Sequence, residues 1–163
     1  MTTRKERIEM AALIAEIIGA IAVVVSVAYL ALQISEANKE LRSQSHYNAL
    51  SLGQRPLEIE LENAELAGII SRGYENPEAL SAEEWYRFAQ YQIIAFNAWE
   101  YYYYEHKKGA INDQLWTGAN AYYVVSVQTR PGLWKFWSEY QHIFAEPFHS
   151  YVEDLFQNRD QSQ

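Results

Sequence analysis

Residues 10–34 read MAALIAEIIGAIAVVVSVAYLALQI, a run whose only charge is Glu16. At about 1.5 Å rise per residue it is long enough, as a helix, to cross a hydrocarbon core roughly 30 Å thick. This stretch predicts a transmembrane helix and sets the organisation of everything after it. A basic flank with Arg4, Lys5 and Arg7 precedes it at residues 1–9. Such a start could also open a secretory signal. The run is longer than a signal core, however, and the weak cleavage candidate Ala28-Tyr29-Leu30-Ala31 is followed by more apolar sequence. The expectation is an uncleaved anchor in the lipid bilayer.

Placed at about 100° per residue, Ala12, Glu16, Gly19, Val23, Ser26, Leu30 and Gln33 fall on one stripe. The opposite face collects Ile14, Ile17, Ile18, Ile21, Val24, Val25, Ala28 and Leu32, which suits lipid. Small and polar residues let helices approach closely and hydrogen-bond in a bilayer, so the stripe predicts a helix–helix contact in a homo-oligomer. An intramembrane carboxylate needs a partner, a cavity or water. Glu16 therefore has three readings: snorkelling toward headgroups, pairing in an oligomer, or lining an ion path.

The rhythm continues through Ala37, Leu41, Gln44 and Asn48, predicting a helical stalk over 35–53 that ends at Gln54-Arg55-Pro56. The three basic residues before the span outnumber Lys39 and Arg42 after it, which leans toward the N-terminus inside and leaves the side of the soluble domain open.

Residues 54–157 are expected to form one compact, aromatic-rich helical bundle, followed by a polar tail at 158–163. Leu57, Leu61, Leu66, Ile69 and Ile70 mark a first amphipathic helix ending near Gly73. Ser81-x-x-Glu84 is a capping box opening a long central helix over about 82–108, with Gly109 as its left-handed terminator. Asn112 caps a fourth helix, whose Tyr-Tyr-Val-Val-Ser-Val segment has strand propensity in helical surroundings. Arg130-Pro131-Gly132 ends it, and Pro147 opens the last helix. The fold class is all-α.

The formal charge of −8 resides entirely after residue 34, because three acids offset three bases before it. An acidic domain repels phosphate backbones, so no nucleic-acid partner is expected. The chain has no cysteine, which removes thiol catalysis, disulfides and Cys-ligated metals. Glu139-x-x-His142 and Glu146-x-x-His149 have di-metal spacing, but they lie seven residues apart astride Pro147, where four ligands converge poorly. No metal or cofactor is expected. Glu100, Glu105 and His106 could supply acid–base groups, yet no nucleophile, P-loop or dinucleotide motif accompanies them. Partnership with buried Tyr and Trp donors is the simpler reading. The aromatic residues could line a pocket, but Tyr101–Tyr104 point all around a helix. Tyr101, Tyr104, Trp134 and Trp137 are therefore the candidates for an interface.

The segment EIIGAIAVVVSVAYLALQI resembles the anchor of a widespread family of uncharacterised small bacterial membrane proteins. So do Asn38, Leu41-Arg42, Gly73-Tyr74-Glu75-Asn76-Pro77-Glu78, Trp99-Glu100 with Tyr102-Tyr103, and Leu115-Trp116. Pro131-Gly132 with Trp137 and His142-Ile143-Phe144 before Pro147-Phe148 extend the resemblance over nearly the whole chain. It implies one N-terminal transmembrane helix, an all-helical domain and placement in the bacterial inner membrane, with no activity attached. Lys39 and Arg42 are sparser than the basic cluster such proteins carry after the span. The reading is a membrane-anchored, homo-oligomeric structural or scaffolding protein rather than an enzyme. The alternatives are an oligomeric channel lined by the Glu16 stripe, or an accessory subunit docked on a membrane-protein partner.

Overall fold

The computed structural model describes residues 3–158. Of the expected tail at 158–163, Asn158 closes the last helix and the remainder lies outside the described residues. The described chain is all helical: α1 (Arg4–Glu62), α2 (Ala64–Glu75), α3 (Ala82–Lys107), α4 (Asp113–Thr129), α5 (Pro131–Tyr140) and α6 (Phe148–Asn158). Short 3-10 turns at Pro77–Ala79 and Gln141–Ile143 complete it. The chain divides into two compact units, Met1–Leu41 and Arg42–Gln163.

The first unit is the N-terminal part of α1. Its large apolar residues between Leu13 and Ile34 are all 52–67% exposed. The apolar window is unburied, and this is the one helix among the described residues long and apolar enough to cross a membrane.

The second unit is built around α3, which packs against α2, α4, α5 and α6. Its N-terminus is fixed by the expected capping box: the Glu84 N–H donates to Ser81 Oγ at 3.3 Å, and the Ser81 N–H donates to Glu84 Oε2 at 2.9 Å. Beyond its C-terminus Gly109 takes φ 69°, the left-handed conformation expected of it. Between these ends Phe88, Phe96, Trp99 and Tyr103 enter the core. Phe96 is its hub, with ring centroids of Phe136, Phe144 and Trp137 at 5.1, 5.6 and 5.8 Å. Trp99 stacks on Tyr123 of α4 at 4.9 Å and 7°. Rings at such separations gain from their quadrupoles beyond the area they bury. At the α2–α5 crossing the backbones touch. A Cβ on Gly132 would overlap the Gly73 carbonyl oxygen, and one on Gly73 would overlap the Phe88 ring.

Asn112 caps α4 as expected, its side chain accepting from the Leu115 N–H at 2.8 Å, and the strand-prone segment is helical. The break expected at Pro56 is displaced. α1 runs through Pro56 to Glu62, and α2 begins only after Asn63, whose side chain accepts from the Leu66 N–H at 2.9 Å. A proline inside a helix costs about 3 kcal/mol. Here its ring is buried, and Ala49, Gly53 and Pro56 form a row of small residues by which this part of α1 meets the domain. Leu57 and Leu61, expected on a core-facing helix, are instead 50% and 87% exposed.

Candidate functional site

The stripe expected to mediate contact, Glu16, Gly19, Val23, Ser26, Leu30 and Gln33, lies wholly exposed on α1. Glu16 makes no hydrogen bond or ion pair among the described residues. Gly19 has open space where a Cβ would stand. Ser26 satisfies its own hydroxyl by donating to the Ala22 carbonyl at 2.7 Å, so it can approach a neighbouring helix without a stranded donor. A shallow apolar groove runs over Ala22, Val23, Ser26, Val27 and Leu30, combining stripe residues with their neighbours.

The four aromatic interface candidates are held inside the second unit. Trp137 is 3% exposed and donates to Glu153 Oε2 at 2.6 Å, which makes it a core residue and no part of a free surface. Trp134 is half-buried and donates to the Val127 carbonyl at 2.7 Å. The half-buried Tyr104 hydroxyl donates to the Glu146 carbonyl at 2.8 Å. Tyr101, also half-buried, packs against the cluster of Ala49, Tyr102 and Ile111. The spacing that suggested an interface arises because α3 is surrounded, so rings on most of its circumference have intramolecular neighbours.

The acid–base candidates are likewise engaged. Glu139 accepts from Trp85 Nε1 at 2.9 Å, and Glu100 accepts from the Ala145 N–H at 3.2 Å. His106 lies 3.0 Å from Asp113 and stacks on Trp116. Of the two Glu-x-x-His pairs, Glu146 and His149 meet at 3.2 Å, while Glu139 is turned to Trp85. Among the described residues no three such ligands converge. The Trp137 N–H, followed by the Gln157 amide, holds the Glu153 carboxyl below the usual carboxylate range.

The pocket alternative, set behind an interface in the sequence, has a counterpart: the second unit holds a cavity of about 240 Å³ lined in part by aromatic residues. Its inner wall comes from Gln92, Ala95 and Phe96 of α3, Tyr123, Ser126 and Val127 of α4, Leu133 of α5, and Pro56 of α1. Leu50, Gln54, Leu57 and Tyr122 are exposed and form its rim. Gly53, Ala95, Ala119 and Ser126 explain the space, because small residues line positions where larger side chains would fill it. Tyr91 is pinned at one side, its hydroxyl donating to Glu60 Oε2 at 3.2 Å. Burial pushes the phenols of Tyr74, Tyr91 and Tyr123 above their ordinary value. At Tyr74 burial outweighs the Gln92 amide dipole and the Arg130 charge, which act the other way. Arg130 lies 4.0 Å over the Tyr74 ring and 5.9 Å from the Tyr122 ring, and it forms no ion pair among the described residues.

Gln92 is the anomaly. It is 1% exposed, it lines the cavity, and its side-chain nitrogen makes no hydrogen bond. Tyr74 stands close enough to feel the amide dipole without meeting hydrogen-bond geometry. A buried unsatisfied donor costs about 1–3 kcal/mol. The signal was present in the sequence: Gln92 lies four residues after Phe88 and seven before Trp99, a polar residue at a core position. Compared with models of protein families, with curated proteins and with solved structures, the chain has no match.

Proposed function

We propose that this chain is a single-pass protein of a bacterial inner membrane, akin to the small membrane proteins its sequence resembles. Residues 10–34 anchor it, and the stripe from Glu16 to Gln33 joins copies into a homo-oligomer that carries the aromatic domain as a scaffolding element. The observation that supports this most is that the apolar window of α1 has no buried residue, while the domain after it has a core of its own. A helix that is apolar all round requires an apolar environment, and a lone carboxylate in it requires a partner. A role without catalysis is supported by the carboxylates, which hold Trp85, Trp137 and Tyr91 in place.

The chain has no cysteine, so single cysteines test the face directly. In native membranes Ser26→Cys should form disulfide-linked dimers on mild oxidation, and Val25→Cys on the opposite face should not. Equal crosslinking at both positions would remove the stripe as the contact.

A further inference from the structure

We propose that the cavity between α1, α3 and α4 binds a small, neutral, largely apolar molecule with a carbonyl oxygen, and that Gln92 donates the hydrogen bond that reads it. The size fits such a ligand: a dry cavity of about 150 Å³ takes up benzene, and this one, at about 240 Å³, has room for a fused two-ring body. Faces of Phe96 and Tyr123 and the apolar atoms of Val127 and Leu133 supply the packing surface.

The missing feature in the wall is an acceptor. The Gln92 nitrogen is buried without a hydrogen-bond partner, whereas two neighbouring donors are occupied. Ser126 donates to the Tyr122 carbonyl at 2.8 Å, and Tyr91 donates to Glu60. A water molecule needs two to four polar partners to be held in such a place. A ligand carbonyl needs only the one donor. Charge argues for neutrality. Glu60 stands behind Tyr91, and Arg130, stacked on Tyr74, lines the same cavity, so the surroundings carry one charge of each sign and a neutral ligand leaves that balance undisturbed. A ketone, ester or amide on an aromatic or branched apolar body meets every condition.

The test uses the full isotope-labelled chain in detergent micelles and follows its own resonances, so micelle partitioning of the probe does not mimic binding. 2-Acetylnaphthalene is titrated beside 2-ethylnaphthalene, which has nearly the same shape and lacks the acceptor. The expected result is a saturable shift of the Gln92 side-chain amide and the Val127 methyls, with the acetyl compound bound at least tenfold more tightly. Gln92→Leu should erase that preference while the Val127 methyls still respond to both probes. Equal affinity of the two probes for the natural chain would overturn the proposal. So would the absence of saturable shifts in the cavity, or a preference that survives Gln92→Leu. None of these readings depends on whether α1 self-associates.

Discussion

Residues 10–34 and helix α3 are two apolar helical stretches of similar length with opposite fates. The first consists mainly of Ala, Ile, Val and Leu, and all its large apolar side chains are exposed. The second carries Trp, Tyr and Phe among acids and amides, and ten of its residues are buried. The difference lies in polar handles. A Trp N–H or Tyr hydroxyl can be buried because another side chain meets it: Trp99 donates to Asn120 at 2.8 Å, and Tyr91 to Glu60. An aliphatic surface has no such demand to place it within a core, and an apolar solvent covers it as well as protein does. Hydrophobicity makes both helices apolar, and the polar tips distinguish the one that folds inward.

Alkali should separate the two regions most sharply. Burial holds the phenols of Tyr74, Tyr91 and Tyr123 protonated, so their folded pKa values lie above the unfolded value of about 10. The stabilising contribution is complete below that unfolded value and is lost as pH rises through the folded ones, because the unfolded chain releases these protons first. Raising the pH from 8 to 12 should abolish near-ultraviolet circular dichroism from the domain while the chain stays in the membrane pellet. Release of the chain at the same pH would break the distinction.

Trp99→Ala should come next, destabilising the domain by about 3–5 kcal/mol in a denaturant titration without loosening membrane attachment. Val24→Arg makes the reciprocal change. An arginine near the middle of the span costs about 2.5–3.5 kcal/mol of insertion, so this variant should shift toward the soluble fraction with the domain still folded. The smallest effect sharpens the account of the cavity. Gln92→Leu removes an unsatisfied amide from an apolar wall and should raise domain stability by about 1–2 kcal/mol, measured as a higher denaturant midpoint. A loss of stability would mean that the amide is satisfied after all.

Much of this was legible where one residue type has one local task. Ser81 with Glu84, Gly109 and Asn112 marked helix ends because backbone groups there need a particular side chain or a positive φ. Pro56 misled because its rule is local too: the row of Ala49, half-buried Gly53 and Pro56 lets tertiary packing carry a proline inside α1. Trp137 misled for the converse reason, since helical spacing places a ring on a face without saying what covers it. The cavity was the least legible feature. It arises where small residues from three helices meet, and beyond the aromatic content only Gln92, polar at a core spacing, pointed to its place.

The most direct test of the central claim is the mass of the intact detergent-solubilised complex, compared with a Glu16→Leu, Ser26→Leu, Gln33→Leu triple variant. The account predicts a discrete oligomer for the natural chain and a monomer for the variant, with the domain folded in both. A monomer in both, or an oligomer that the variant leaves intact, would contradict it.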